Sequence, residues 1–190
     1  MKIIISCHCD TVFTQPYCVC KEGIVEGAND NFSSIMAISR TLDDPVWKEP
    51  GIELQLTEDE EMYMDGAKAI ARKNNPKDTL IIVMEVTERK VRKGNFTIEN
   101  VHEIKTSEIK KALVNFSKKY RLIKDGTESE AWLYAEQGFS VLEIDIPVSG
   151  GLHSLNSKSK IEDHAVVSKA VVALIYYFKD KDISAIRSDD

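Results

Sequence analysis

The sequence predicts an α/β fold in three layers, a mostly parallel mixed sheet with helices on both faces, and three observations predict it. Apolar runs at residues 2–7, 52–56, 80–86 and 139–146 have the length of buried strands and are too short for buried helices. Segments of helical composition separate them, and strands alternating with helices favour parallel pairing through crossovers. The 190 residues, 43% of them hydrophobic, can close one sizeable core but not two.

The run over 2–7 is rich in Ile, and His8 and Asp10 fall just past its end. Residues 18–25 alternate loosely, bounded by Pro16 and by Gly23 and Gly27, which predicts a hairpin-like excursion before the polar stretch GANDN. A helix follows over 29–42. Residues 52–56 alternate as a second central strand ending in TEDEE, and 65–73 have helical composition. Residues 80–86 form the third strand. Over 104–120, Ile109, Leu113, Phe116 and Tyr120 recur at helical spacing, predicting an amphipathic helix with a Lys-rich outer face. Another short helix is predicted over 130–136, then the fourth strand over 139–146. Residues 164–178 close the fold as a helix with an apolar stripe of Val167, Val171, Leu174 and Phe178. The tail beyond residue 180 reads as frayed, and no repeat or linker interrupts the chain, so residues 1–190 are expected to form a single domain.

Charge narrows the partners. The formal net charge of -6, with Lys and Arg scattered, offers no basic footprint for a phosphate backbone, so nucleic acid is not expected. No apolar run approaches the roughly 20 residues of a membrane span, and the opening MKIIISCHCD turns polar too soon for a secretory signal, which predicts a cytoplasmic protein with no membrane partner. A homo-oligomer is compatible with the sequence. The cysteines form two Cys-x-Cys pairs, Cys7 with Cys9 and Cys18 with Cys20. Period-2 spacing on strands would put both members of a pair on one buried face, so packed core thiols are the leading reading, ahead of a thiolate metal site or a disulfide.

The chemistry lies at the predicted strand ends, where ligands bind in an open α/β sheet. His8 and Asp10 follow the first strand, Glu60 and Glu61 the second, Glu85 ends the third, and His153 lies in the GGLHS loop after the fourth. Asp30 sits where a loop enters a helix. Imidazole and carboxylate are zinc ligands, and a two-metal centre needs one bridging carboxylate plus two further protein ligands on each ion. An Asp two residues after a His can orient the imidazole, and one of two adjacent glutamates can remain free as a proton acceptor. His102 and His164 read as surface or structural residues.

These segments resemble a known superfamily. HCDTV is similar to the His-x-Asp-Thr-Val opening of peptidase T, carboxypeptidase G and succinyl-diaminopimelate desuccinylase, and KEGIVEGANDN resembles the stretch that follows it. LTEDEEMYMDGA, MEVT, DGTESEA and GGLHSLNSKSKIED then resemble, in order, its Glu-Glu segment, strand-end acidic ligand, Gly-Thr-x-Ser-Asp-Ala segment and final ligand loop. The resemblance, to the two-metal zinc exopeptidases and deacylases, spans residues 3–178. It implies the zinc-exopeptidase (phosphorylase/hydrolase-like) fold and two divalent metal ions, zinc before cobalt or manganese. It implies that Asp30 bridges the metals, that His8 and Glu85 hold one, and that Glu61 and His153 hold the other. Glu60 would be the general base, Asp10 would orient His8, and the peptide after Asp30 would be cis.

The implied activity is hydrolysis of an amide bond in a small peptide or N-acyl amino acid. The alternative is a weak or inactive metal-binding subunit that keeps the peptidase fold. Glu85, where aminopeptidases of the superfamily often carry Asp, leans toward the carboxypeptidase and deacylase branch. The chain departs from the family pattern in several ways. It begins at the first ligand-bearing strand and leaves no room for a lid or dimerisation domain. Tyr63 stands where Gly is usual, which is expected to narrow the substrate cleft, and Glu130 replaces an Asp.

Overall fold

The computed structural model describes residues 1–188 except 89–93, 124–125 and 127, so Asp125 and Thr127 of the DGTESEA segment lie outside the described residues. In chain order the strands are β1 (Lys2–His8), β2 (Cys18–Lys21), β3 (Ile24–Gly27), β4 (Ile52–Thr57), β5 (Thr79–Thr87), β6 (Phe96–His102), β7 (Tyr120–Leu122), β8 (Ser140–Pro147) and β9 (Lys158–Lys160). The α-helices are α1 (Asn29–Ser39), α2 (Asp65–Lys73), α3 (Thr106–Ala112), α4 (Glu130–Glu136), α5 (Ile161–Phe178) and α6 (Ile183–Ile186).

Six strands build one sheet in the order β4-β1-β5-β8-β6-β7, and a smaller sheet has the order β2-β3-β9. β4, β1, β5 and β8 run parallel, whereas β6 is antiparallel to β8. Strand alternation divides the core between two faces. Ile3 and Ile5 with Leu80, Ile82 and Met84 face one layer, which includes Ala37 and Ile38 of α1 and Val167, Val171 and Leu174 of α5. Ile4, Ile81 and Val83 face the other, where Ala67 and Ile70 of α2 and Ala131 and Tyr134 of α4 pack. Every residue of β5 is buried, as a central strand covered on both faces requires. The chain crosses from β1 to β4 on one side and returns to β5 on the other, so the topological switch point lies between β1 and β5. Among the described residues no helix is long and apolar enough to cross a membrane.

Three expectations change. The helix expected over 104–120 stops at Ala112, passes through a 3₁₀ turn at Val114–Phe116 and ends as strand β7. Its aromatics pack on Phe96: Tyr120 stacks at 5.6 Å between ring centroids and Phe116 meets it edge-on at 6.5 Å, so tertiary packing overrides the local period. The described tail, through residue 188, is held in place. Asp182 caps α6 through Ser184 N, Ile183 and Ile186 are buried, and Arg187 donates to Pro76 O at 2.7 Å and Ser140 Oγ at 3.0 Å. Of the four cysteines only Cys7 is a core thiol. Cys9 and Cys20 are exposed and Cys18 is half-buried, because β2 is an edge strand and Cys9 lies beyond β1.

Candidate metal centre

β1 and β5 end beside the switch point and deliver His8 and Glu85 to one place: His8 Nε2 lies 3.2 Å from Glu85 Oε2 and 3.2 Å from Asp30 Oδ1. Asp30 comes from the start of α1, where it and Asn31 have non-helical backbone angles and the peptide between them is cis. This entry is tightly constrained. A Cβ on Gly27 would fall 2.0 Å from Tyr17 O, so that position admits only glycine. Asn31 Nδ2 donates to Met84 O at 2.8 Å and Ser34 Oγ to Glu85 O at 3.0 Å, which tie the helix start to the end of β5.

The second half of the site arrives on loops. His153 Nε2 lies 3.2 Å from Glu61 Oε2 and 3.5 Å from Asp30 Oδ2. Its loop turns at Gly150 and Gly151, and a Cβ on Gly150 would meet Asn156 O at 2.4 Å. Gly151 N donates to Glu88 Oε1 at 2.9 Å, anchoring the loop beyond β5. Asp10 spans the two halves. Its Oδ2 accepts from Glu61 N at 3.3 Å, and its Oδ1 lies 3.5 Å from His8 Nδ1.

The seven residues expected at the site therefore converge. His8, Asp30 and Glu85 form one set of metal-competent atoms and Asp30, Glu61 and His153 a second, each within 4.8 Å, with Asp30 common to both. Glu60 joins His8 and Glu61 in a third set. The donors fit divalent metal ions. Glu61 Oε1 is buried without a hydrogen-bond partner among the described residues, and Asp30 Oδ1 has only the His8 imidazole nearby, at 3.2 Å and outside hydrogen-bond geometry, which is costly for carboxylate oxygens unless a cation meets them. Imidazole nitrogen with carboxylate oxygen suits zinc, and also cobalt or manganese.

The electrostatics agree with that need. Burial and surrounding carboxylates raise the carboxyl groups of Glu85 and Glu61, with the histidines opposing. Burial pushes Glu60 up to about 7, reinforced by Glu61 and opposed by His8. Burial disfavours charge on His8, yet Glu85, Asp10 and Asp30 overcome it and raise its imidazole. Burial also works against Asp10, but the His8 contact and the Glu61 and Glu60 N–H groups lower it to about 2. A pocket of carboxylates balanced by one imidazolium is a pocket that a divalent cation would balance more completely.

The cleft over these residues has a volume of about 360 Å³ and is lined also by Met62, Met64, Val86, Leu152 and Glu128. Tyr63, expected to narrow it, is 64% exposed and is not among its lining residues. Glu130 is fully buried behind the site, accepting from Ser6 Oγ at 2.7 Å. Sequence reasoning missed a buried polar network under the loops. Asn29 Nδ2 donates to Ser157 O at 2.7 Å, Ser159 Oγ donates to Asn29 Oδ1 at 2.6 Å, and His164 Nε2 lies 2.9 Å from Ser159 Oγ. The adjacency of Asn29 to Asp30 was its only signal. Among the described residues no metal-competent cluster contains a cysteine; a fourth, fully acidic cluster of Glu99, Glu143 and Asp145 lies apart on β6 and β8.

Known proteins share the fold. Aminopeptidase PepT from Bacillus cereus shares 13% identity with a TM-score of 0.69, over 93% of this chain and 80% of that one. A TET aminopeptidase from a marine sediment archaeon of the Thaumarchaeota shares 18% with a TM-score of 0.69, over 90% of this chain and 55% of its own. An aminopeptidase from the archaeon Desulfurococcus kamchatkensis shares 17% with a TM-score of 0.64, over 91% and 55%. The chain thus spans about half the length of both archaeal proteins, and at these identities the likeness establishes the zinc-exopeptidase fold. No curated protein matches the chain in sequence. The model of peptidase family M28 matches residues 1–180, nearly the whole chain, and on that match the protein belongs to peptidase family M28.

Proposed function

We propose that the protein is a metal-dependent exopeptidase that holds two divalent ions, zinc first, and releases amino-terminal residues from small peptides. One observation carries the reading: the two oxygens of Asp30 face different histidines, Oδ1 toward His8 and Oδ2 toward His153, as a bridging carboxylate requires. His8 and Glu85 would hold one ion with Asp30, and Glu61 and His153 the other. When bound, such ions polarise an amide carbonyl and make water nucleophilic near neutral pH.

The remaining work belongs to the protein's own groups. Glu60 takes a proton from the attacking water and hands it to the leaving amine, a role open to a carboxylate on the cleft wall that neither Asp30-containing ligand set uses. Asp10 holds the His8 ring and the Glu61 backbone in register, so the two halves of the site move together. Met62, Met64, Val86 and Leu152 offer an apolar wall to a substrate side chain. Glu128 on the same cleft suits a free α-ammonium group. That lining, with the aminopeptidase neighbours, outweighs the lean toward carboxypeptidases that Glu85 alone suggested.

The test is metal-loaded protein assayed on aminoacyl anilides, N-acyl amino acids and C-terminally free dipeptides. Glu60→Gln is expected to lower turnover by about 10²- to 10⁴-fold while the protein retains two ions. Full activity in that variant refutes the role of Glu60. Metal-loaded native chain that turns over nothing in the panel favours a metal-binding subunit without catalysis.

A further inference from the structure

The two halves of the candidate centre are built differently. His8 and Glu85 stand near the ends of neighbouring strands, and the Asp30 segment is tied to β5 through Asn31 and Ser34. Glu61 and His153 stand on loops, and the His153 side chain is 57% exposed. A ligand on a loop binds weakly unless its position is fixed beforehand, so the His153 loop needs a hold that the sheet itself does not give.

Asn29, the residue before Asp30, is fully buried. Its Nδ2 faces three carbonyl oxygens, donating to Ser157 O at 2.7 Å, with Val25 O and Gly27 O each at 3.4 Å. Its Oδ1 accepts from Ser33 Oγ and from Ser159 Oγ, both at 2.6 Å. Carbonyl oxygens only accept, so these neighbours fix which end of the amide points where. His164 Nε2, 2.9 Å from Ser159 Oγ, holds that hydroxyl toward Asn29 in turn. On the far side, Ser157 closes the turn that carries the loop. Ser157 N donates to Ser154 O at 3.0 Å and Asn156 N to Ser154 Oγ at 3.1 Å, and Ser154 adjoins His153.

We infer that Asn29 is a positioning residue for the second ion, a strut that sets the His153 loop at its distance from the bridging carboxylate. The inference rests on the two-ion reading of the site. The contacts form a closed ring: Asp30 to Asn29 along the chain, Asn29 Nδ2 to Ser157 O, the turn to His153, and His153 Nε2 back to Asp30 Oδ2 at 3.5 Å. His8 and Glu85 have no share in that ring. Asn29 is placed to touch neither ion, so its loss loosens one ligand of the second ion and leaves the first ion's ligands on their strands. A general loss of stability would weaken both ions together.

The chain has four histidines, so imidazole resonances report each half of the site separately. Chelator-buffered zinc added to the metal-free native chain should move the His8 and His153 resonances and leave that of His102. In Asn29→Ala the His8 response should stay at the native zinc concentration, while the His153 response should need about 10- to 100-fold more zinc. Ser168→Ala removes a different bond between α5 and α1, from Ser168 Oγ to Ala37 O at 2.8 Å, and should leave both responses as in the native chain. If Asn29→Ala does not fold, Ser159→Ala, which frees one side of the amide, should shift the His153 response alone and by less. Equal weakening of both responses, or no change in either, overturns the inference. Zinc that moves neither imidazole of the native chain overturns the two-ion reading instead, and hydrogen exchange without metal separates that failure from failure of the strut. The Ser157 amide should exchange faster in the folded variant than in the native chain while the Ile82 amide stays protected in both; unchanged exchange at Ser157 removes the strut.

Discussion

Lowering the pH from 7 to 5 should cost the fold about 2 kcal/mol through His164 alone. His164 lies in the first turn of α5 and is 2% exposed. Ser159 Oγ donates to Asn29 Oδ1, so it accepts from His164 Nε2, which carries the proton of a neutral ring. Burial holds the imidazole down to about 4, with Arg40 adding to the effect, and a helix N-terminus is likewise a poor place for a cation. The unfolded chain, with an ordinary value of 6.5, binds a proton that the folded chain refuses. Stability is therefore greatest above 6.5, falls as the pH drops and levels off below about 4. At 1.36 kcal/mol per pH unit the full difference is about 3 kcal/mol, of which about 2 kcal/mol is lost by pH 5. Urea unfolding of the metal-free parent and of His164→Gln at both pH values isolates the effect. Raised carboxyl groups such as those of Glu85, Glu143 and Asp145 titrate with the opposite sign but do so in both proteins. The parent should lose about 2 kcal/mol more than the variant between the two pH values. Equal losses, or an imidazole resonance of His164 that titrates above pH 6, would refute the reasoning.

Two further outcomes test other contacts. Asp10→Asn, which weakens the grip on His8 and on the Glu61 backbone, should lower zinc affinity by about 10- to 100-fold in a chelator competition; unchanged affinity would remove Asp10 from the positioning role. Lys111 at 2.6 Å, Lys181 at 3.1 Å and the Tyr177 hydroxyl at 2.9 Å hold the Glu108 carboxyl down to about 2. That contribution is present above about 4.5 and lost as the pH falls toward 2, so Glu108→Gln should show a shallower loss of stability across that interval in an acid titration followed by tryptophan fluorescence.

The parts of the fold that were legible share one property: their signal is local. β1, β5 and β8 are runs buried on both faces and read directly as apolar strings, and the candidate residues His8, Asp10, Glu85 and His153 stood out because they end or follow such strings in chain order. β6 was not. Phe96 and Ile98 alternate with Thr97 and Glu99 for only four residues before Asn100 breaks the pattern, and Thr97 and Glu99, which such a pattern would place in solvent, are fully buried, with Thr97 Oγ1 donating to Asp145. The tail escaped for a similar reason, since α6 is four residues long and is held by Arg187 reaching carbonyls at positions 76 and 138. The cysteines were misplaced because strand parity assigns faces but not whether a face is covered.

By itself, then, the sequence determined the α/β class, the four parallel strands and the chain order of His8, Asp30, Glu61, Glu85 and His153. Those follow from hydrophobic period and from residue types at strand ends, which neighbouring residues set. Only the tertiary structure decided that Asp30 faces both histidines, that Tyr63 stays off the cleft lining and that Arg187 near the end of the chain reaches Ser140 at the start of β8. Each of those depends on elements tens of residues apart meeting at distances of a few ångströms, a condition that packing imposes and local composition does not carry.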